Sequence, residues 1–259
     1  MKKIIALLLC LVLAAASALA LAEGESDKAY VVEKGKLIVG ITDFEPMDYK
    51  DADGNWIGFD ADLARAFGEY LGVEIEFQEI DWDNKILELD SKIIDCVWNG
   101  MTLTDEVTAA MSCSKAYMNN SQIVILPVEK AAEYETVESL AGLSFAVEAG
   151  SAGEAEVEAL GFTATPVQNQ AAALMEVEAG TSDAAVIDAL MAAAMVGEGT
   201  SYENLTYTLP LNEEQYGVGF RKGSDLAAEL DAFLAASLAD GTLLSVAETY
   251  GVQVALIQE

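Results

Sequence analysis

The sequence predicts an α/β protein built on largely parallel strands. Short continuous apolar runs, such as residues 37–41 and 122–128, recur along the chain, and segments with helical periodicity separate them. Strands that are apolar along their whole length are typical of sheets buried on both faces, and their alternation with helices is typical of βαβ units. A length of 259 residues is enough for one large domain or two ordinary ones.

The composition narrows the functional classes. The formal net charge is −31 at pH 7, and such a charge repels nucleic acid and anionic lipid headgroups. The chain contains no histidine, which removes the commonest general base and the commonest transition-metal ligand. We therefore expect no nucleic-acid partner, no metal site and no cofactor.

The N-terminus has the pattern of a signal peptide. Two lysines precede an apolar run over residues 4–16, which is too short to span a bilayer comfortably, and Ala20-Leu21-Ala22 matches a cleavage site. We predict that residues 1–22 are removed and that the mature chain begins at Glu23; cleavage after Ala20 is the alternative. The mature protein would then be secreted across the cytoplasmic membrane, to the periplasm or the cell surface.

The three cysteines lie in apolar segments. Cys10 follows the bulky Leu9 in the middle of the N-terminal apolar run, whereas a lipid-attachment site requires a small residue there, so we do not expect lipidation. Cys96 and Cys113 could pair in an oxidising compartment. Buried free thiols are common, however, and we favour unpaired cysteines.

The first half of the chain alternates strands and helices. We predict strands at 37–41, 73–80, 96–98, 111–114 and 122–128 and helices at 60–71, 84–89 and 105–111. The helix at 60–71 is the clearest, because its apolar residues share one face, Asp60 is suited to cap its start and Gly72 its end. Residues 51–55 resemble the start of a calcium loop, but their glycine is at the fourth position rather than the sixth, which favours a hairpin turn.

The second half continues the same alternation. We predict strands at 144–147, 163–167, 184–187, 205–210 and 217–221 and helices at 151–160, 170–179, 190–196, 225–238 and 242–250. One stretch stands out from this pattern, the segment from Asp95 to Val107. There a short apolar strand ends abruptly at Asn99 and Gly100, and ligands of open α/β sheets bind at the carboxyl ends of strands.

A series of motifs carries a family resemblance. They are F-E-P-M-D-Y at 44–49, G-F-D-A-D-L-A-R-A from 58, I-D-W-D at 80–83, W-N-G-M-T-L-T-D-E at 98–106, S-K-A-Y at 114–117, S-L-A-G at 139–142, E-A-G-S-A-G-E at 148–154, D-A-A-V-I-D at 183–188, Y-G-V-G-F-R-K-G from 216 and A-D-G-T-L from 239. Each motif alone is weak, but their order and spacing are specific. The chain resembles the extracellular, periplasmic-type solute-binding proteins of ABC importers, in the polar amino-acid-binding family.

The resemblance implies a two-lobed periplasmic-binding-protein fold of type II, with two strand crossovers and a ligand cleft between the lobes. The implied division is a flexible N-terminus at 23–32, a first lobe at 33–124 plus 217–259, a second lobe at 130–210, and hinge strands at about 124–130 and 210–217. Contacts of a ligand with both lobes stabilise the closed form, which a membrane permease then reads. We expect a monomer.

The resemblance also implies a set of ligand-binding residues. The set is Asp43, Phe44, Trp82, Asn99, Gly100, Thr102, Glu148, Ser151, Ala152 and Asp188. In it, two aromatic side chains clamp the ligand side chain; the Gly100 carbonyl, the Thr102 hydroxyl and Asp188 bind the ligand ammonium, with Asn99 as a further amide. Ser151 and the Ala152 amide lie at a helix start, which favours an anion. The alternatives are core aromatics, a plain turn at Gly100, and an N-cap at Asp188.

The sequence departs from the family at the anion-binding end. Val107 stands where the family has an arginine that grips the ligand α-carboxylate, Glu148 where Gln or Lys is frequent, and Ala152 where a hydroxyl residue is common. All three changes reduce positive charge or hydrogen bonding, so we expect an acidic cleft. The hypothesis is therefore an amine, or a cationic amino acid or derivative, as ligand. In a softer version, an α-amino acid still binds through Ser151 and backbone amides.

Binding and delivery to an ABC importer, without catalysis, is the function that the resemblance favours. Some relatives are enzymes of the cyclohexadienyl-dehydratase type, and paired acids such as Asp43 with Glu45 or Glu148 are the groups that such chemistry would need. Similarity of fold does not by itself establish chemistry. A ligand-sensing binding protein that presents its ligand to a receptor is a third alternative.

Overall fold

Two five-stranded sheets organise the protein. The computed structural model describes residues 26–258, so the predicted signal peptide, its cleavage site and Cys10 lie outside the described residues. Helices cover both sheets, as the α/β prediction requires. Below, the first lobe is the part of the chain built on the first sheet, and the second lobe is the part built on the second sheet.

The first sheet has the order β4-β1-β5-β14-β6. Its strands are β1 (Lys36–Ile41), β4 (Glu74–Glu79), β5 (Cys96–Val97), β6 (Ser112–Cys113) and β14 (Gly219–Phe220). β1 pairs in parallel with β4 and β5, whereas β14 runs antiparallel to β5 and β6. A hairpin of β2 (Tyr49–Lys50) and β3 (Trp56–Ile57) lies beside this sheet, and its turn is the segment that resembled a calcium loop.

The second sheet has the order β10-β9-β11-β8-β12. Its strands are β8 (Gln122–Pro127), β9 (Ser144–Glu148), β10 (Thr163–Val167), β11 (Ala184–Asp188) and β12 (Leu205–Pro210). β9 pairs in parallel with β10 and β11, and β8 runs antiparallel to β11 and β12. The carboxyl ends of β9 and β11 therefore lie at one edge, where Glu148 and Asp188 are the last residues.

The two crossovers between the sheets pair with each other. β7 (Met118–Asn120) runs antiparallel to β13 (Glu214–Tyr216). The second crossover lies within the predicted hinge at 210–217, but the first one lies before the predicted 124–130. The reason is that residues 122–127 are almost entirely buried and pair with two strands of the second sheet, so they belong to its core.

The helices are α1 (Asp27–Lys34), α2 (Phe59–Leu71), α3 (Lys85–Asp90), α4 (Asp105–Ala110), α5 (Ala152–Ala159), α6 (Gln170–Glu178), α7 (Ala189–Met195), α8 (Leu226–Asp240) and α9 (Thr242–Thr249). Among residues 26–258, no single helix is long and apolar enough to cross a membrane. Only α8 and α9 together reach that length and composition, as a pair bent by 82°, and both bury residues in the core. Cys96 and Cys113 are free, as we expected.

The segment predicted to be flexible, 23–32, instead forms α1 from Asp27 onward. The Ser26 hydroxyl accepts a hydrogen bond from the Ala29 amide and caps the helix start, and Gly35 ends the helix in the left-handed conformation. Arg221 binds Asp27 through Nε at 3.1 Å, and Val31 is fully buried. The two caps are local signals, whereas the ion pair with Arg221 and the burial of Val31 are tertiary and do not follow from the segment alone.

Candidate functional site

A cavity of about 280 Å³ lies between the two lobes. It is lined by Phe44, Trp82, Lys85, Asn99, Gly100, Met101, Thr102, Thr104, Asp105, Glu106, Val107, Gln122, Glu148, Gly150, Ser151, Ala152, Ala155, Gln170 and Asp188. The residues numbered up to 107 belong to the first lobe and the others to the second. Two aromatic side chains and a majority of polar or charged residues line it, and a cleft of about this size between two lobes is typical of small-molecule sites.

The lobes touch at one side of the cavity. The Nζ atom of Lys85 in the first lobe donates a hydrogen bond of 2.9 Å to the carbonyl of Gly150 in the second. Gly150 has a φ of 70°, and a β carbon at this position would lie 2.7 Å from the Cα atom of Asp83. The structure is therefore a closed form. Its closure depends on glycine at position 150, because any larger residue would place a β carbon against Asp83.

The aromatic residues Phe44 and Trp82 both line the cavity from the first lobe and are almost completely buried. The Phe44 ring packs edge-on against Tyr216, with centroids 6.4 Å apart. Gly100 adopts a φ of 54°, and a β carbon there would lie 2.5 Å from the Phe44 ring. Glycine at position 100 thus allows this ring to lie against the binding loop.

The binding loop at 99–102 is held by buried polar groups beneath it. The Gly100 amide donates to Oδ2 of Asp60 at 2.7 Å, so Asp60 braces this loop and does not cap its own helix, whose N-cap is Gly58. Asn99 uses its amide on Thr42 and Asp48. Asn99 therefore supports the cavity wall with a side chain that is already fully hydrogen-bonded.

Asp188 is the most heavily hydrogen-bonded acid of the cavity. Its carboxylate accepts from the Tyr216 hydroxyl at 2.7 Å, from Gln122 at 2.9 Å, and from the amides of Asn120 and Gln170. Burial raises the pKa of Asp188 well above its usual range, and the charge of Glu214 adds to this. Asp188 is the N-cap residue of α7 by position, but its side chain makes no capping hydrogen bond and binds the donors named above instead.

Glu214 connects the hinge to the binding loop. Its Oε1 atom accepts from the Thr102 hydroxyl at 3.0 Å and from the same two amides, Asn120 and Gln122, that bind Asp188. Because the Thr102 hydroxyl donates its proton to Glu214, the lone pairs of its oxygen stay available to accept from a ligand ammonium.

Glu148 is a buried acid without a hydrogen bond to Oε1 from any residue between 26 and 258. Only 3% of the residue is exposed. Burial raises the pKa of Glu148 to about 8, and the positive charge of Lys85 opposes that shift. A polar atom buried in this way costs free energy until a partner reaches it, so Glu148 is positioned to bind a group that enters the cavity.

Lys85 is the one cation among the described residues that line the cavity. Its Nζ atom lies 5.0 Å above the Trp82 ring centroid and donates to the Trp82 carbonyl at 3.2 Å, besides Gly150. Burial lowers the pKa of Lys85, and the charges of Glu106 and Glu148 oppose that shift. We did not predict this residue. The available signal was its spacing, since residues three apart share one helical face and Lys85 follows Trp82 by three.

The start of α5 forms the end of the cavity next to Lys85. Ser151 caps this helix by accepting from the Glu154 amide at 3.1 Å, and the Gly150 amide donates to Glu154 at 2.7 Å. The amides of Ala152 and Gly153 lie in the first turn, where they have no partner within the helix. They add a positive partial charge to this end of the cavity.

Comparisons with known proteins agree with this architecture. The family model of bacterial extracellular solute-binding proteins, family 3, matches residues 37–253. The chain belongs to this family. As a family 3 solute-binding protein, it is 29% identical over 217 residues to the arginine-binding extracellular protein ArtP of Bacillus subtilis, which covers 82% of this chain and 84% of the relative.

Solved structures and a further relative complete the comparison. A substrate-binding protein of an ABC uptake transporter from Streptococcus pneumoniae, solved with bound histidine, superposes with a TM-score of 0.80 at 28% identity and covers 89% of this chain and 98% of that one. The neighbours have the type II periplasmic-binding-protein fold, which confirms the predicted fold class. A cyclohexadienyl dehydratase of Pseudomonas aeruginosa is 26% identical over 140 residues, which is 54% of this chain and 52% of that enzyme.

The cavity of this solute-binding protein contains nine of the ten predicted residues. Asp43 is the exception. It lines a separate small cavity with Glu45, Lys50 and residues of α6 and α7, because its neighbour Phe44 takes the position that faces the ligand cavity. Burial raises the pKa of Asp43. Asp43 and Glu148 line different cavities, so the structure does not bring together this pair of acids, which the dehydratase alternative would use.

Several lining residues of the solute-binding protein were not predicted: Lys85, Met101, Thr104, Asp105, Glu106, Gln122, Gly150, Ala155 and Gln170. Gln122 lies opposite Asp188 in the register of β8 and β11, so strand pairing brings it to the site. Four acids and one base line the cavity, namely Asp105, Glu106, Glu148 and Asp188 against Lys85. This agrees with the expectation of an acidic cleft.

Proposed function

We propose that the protein binds an amino acid or amine with a cationic side chain outside the cytoplasmic membrane and delivers it to an ABC importer by lobe closure. The observation that carries the ligand class is Glu148. This acid is buried in the cavity with one oxygen unpaired, and a cationic group of the ligand would supply the missing partner.

The ammonium group common to these ligands has a separate set of acceptors. Asp188 is a buried acid at the cavity wall, and the Thr102 oxygen faces the same space. Four donors already orient the Asp188 carboxylate, so it needs little rearrangement to bind a cation. The ligand would thus have one positive group at Asp188 and Thr102 and another at Glu148, with its aliphatic part beside Phe44 and Trp82.

Delivery by closure is supported by the arrangement of the lobes. Residues of both lobes line the cavity, so a bound solute would stabilise the closed form over the open one. The relatives named above bind arginine or belong to an ABC uptake system. We expect the closed monomer to present both lobes to a membrane permease, in the periplasm or at the cell surface.

Native mass spectrometry of the purified protein, followed by titration calorimetry, tests the ligand class. We expect arginine, lysine, ornithine or a related cation to bind, while glutamate and aspartate do not. Glutamine serves as the neutral control of similar size. Tight binding of glutamate or aspartate without binding of any cation would contradict the proposal.

A dehydratase activity is the alternative that the similarity to cyclohexadienyl dehydratase raises. The acidic lining disfavours it, because substrates of that class are themselves acids and four carboxyl groups line the cavity. Incubation with prephenate-like and arogenate-like acids, with product detection by absorbance, decides between the two. Turnover that the Asp188→Asn variant abolishes would establish the enzyme.

A further inference from the structure

We infer that Lys85 binds the carboxylate of the ligand, and that the protein therefore selects cationic α-amino acids over the corresponding amines without a carboxylate. This inference rests on the proposed function and narrows its ligand class. It assigns to the first lobe a specificity residue that stands on a different helix from Val107.

The first support is that Lys85 is a buried cation without an ion-pair partner. Only 8% of the residue is exposed, and it takes part in none of the ion pairs formed within residues 26–258. Its two acceptors are backbone carbonyls, those of Trp82 and Gly150. An ammonium group has three donors, so one donor is left for a further acceptor. No carboxylate between residues 26 and 258 lies within ion-pair distance of this buried charge, so a ligand carboxylate bound there would stabilise it.

The second support is the position of Lys85 at the helix end of the cavity. The carbonyl that Nζ binds belongs to Gly150, two residues before the first residue of α5. Ser151 and Ala152 at the start of α5 line the same cavity, and amides at a helix start favour an anion. A carboxylate bound at this end of the cavity would therefore interact with one full positive charge and with the positive partial charge of one helix terminus.

The third support is that the cavity contains two groups of opposite charge, Glu148 and Lys85, that do not pair with each other. Glu148 has an unpartnered oxygen, and Lys85 has no carboxylate partner, yet both line the same cavity. Their charges influence each other without forming a direct ion pair. A ligand with a carboxylate and a side-chain cation satisfies both groups at once. A simple diamine would satisfy Glu148 and Asp188 but leave Lys85 unpaired.

Val107 is neutral and buried, and it lines the same cavity as Lys85. Val107 and Trp82 belong to one apolar cluster, and the charge of Glu106 raises the pKa of Lys85 against the effect of burial. The cation of this end of the cavity comes from α3 instead.

The test compares each amino acid with its decarboxylated partner. Calorimetry measures the affinity of the wild type and of Lys85→Met for arginine and agmatine, and for lysine and cadaverine. We expect Lys85→Met to weaken binding of the amino acids by about tenfold to a hundredfold, as for the loss of one charge-assisted hydrogen bond, and to change amine binding by less than about threefold. Lys115→Met is the matched control, because Lys115 is exposed and outside the cavity.

The outcomes separate the inference from the proposed function. Equal weakening of amino acids and amines would show that Lys85 only holds the lobes together, and would overturn the inference. Wild-type binding of agmatine as tight as that of arginine would overturn it as well. If the wild type bound neither the cationic amino acids nor the corresponding amines, the proposed function itself would fail. Should Lys85→Met not fold, as judged by circular dichroism, arginine methyl ester replaces it: the wild type must bind the ester at least tenfold more weakly than arginine.

Discussion

Gly150 lies so close to Asp83 that a β carbon at position 150 would stand 2.7 Å from the Cα atom of Asp83. The two residues belong to different lobes, and Lys85 adds a hydrogen bond to the Gly150 carbonyl at the same place. Backbone meets backbone here, so no side-chain rearrangement relieves the clash. Closure of the cavity therefore depends on glycine at this position.

Gly150→Ala should weaken ligand binding at least tenfold, because the extra methyl group prevents full closure. The control is Gly161→Ala, since Gly161 has a similar φ of 75° but no atom within 4 Å of the added β carbon. Both variants should lose about 1–2 kcal/mol of unfolding free energy from the left-handed backbone. Calorimetry with the identified ligand measures the affinities. Equal affinities of the two variants would refute the role of Gly150 in closure.

Glu148 should make binding of a cationic ligand depend on pH. With its pKa near 8, the buried acid is protonated at pH 6, and a cation must displace that proton to pair with the carboxylate. Affinity should therefore rise by up to about tenfold per pH unit below pH 8 and level off above it. Calorimetry in buffers of different ionisation enthalpy should show net proton release at pH 6.

Glu148→Gln is the control for this pH dependence. Asp188 also has a raised pKa, so the difference between wild type and variant isolates the proton of Glu148. The ligand-free wild type should lose stability as pH rises from 4.5 to 8. In this range Glu148 is ionised in the unfolded chain but still protonated in the folded protein, and the variant, which lacks this group, should lose less stability. Identical proton release by both proteins would refute the assignment.

Asp188→Asn should weaken every amine-bearing ligand by about tenfold to a hundredfold, because a charge-assisted hydrogen bond is worth roughly 1.5–3 kcal/mol. The loss should be similar for arginine and agmatine, in contrast to Lys85→Met. Asp53→Asn, at an exposed position of the hairpin turn, controls for the change in net charge. A change confined to carboxylate-bearing ligands would place the ammonium group elsewhere.

Asp95→Ala should destabilise the fold strongly. Asp95 is fully buried and pairs with Lys34 and Arg221, and its removal leaves the buried Arg221 with only part of its partners. Breaking such a pair costs about 3–5 kcal/mol. Glu76→Ala removes an exposed pair with Lys36 and should cost less than about 1 kcal/mol. Thermal and urea unfolding measure both, and equal midpoints would contradict the expectation.

The site was predictable where each residue ends a strand or begins a helix. This rule holds for Phe44, Trp82, Gly100 and Asp188. Ligands of open α/β sheets bind at the carboxyl ends of strands, so a residue that follows an apolar run is expected to face the cleft. Asp43 was misplaced because two consecutive residues of a loop face different sides, and the sequence does not say which one faces the ligand. Lys85 was missed because its acceptor, Gly150, is 65 residues away.

The sequence by itself determined the α/β class, the succession of strands and helices and the acidic character of the cleft. The class and the succession of elements follow from apolar periodicity, which is local, and the acidic cleft follows from the residue types at three positions where the chain departs from the family pattern. Tertiary structure alone decided that Asp60 braces Gly100 and that Glu148 and Lys85 share one cavity. Each of these depends on closing long loops, so that burial and pairing between distant residues set the outcome.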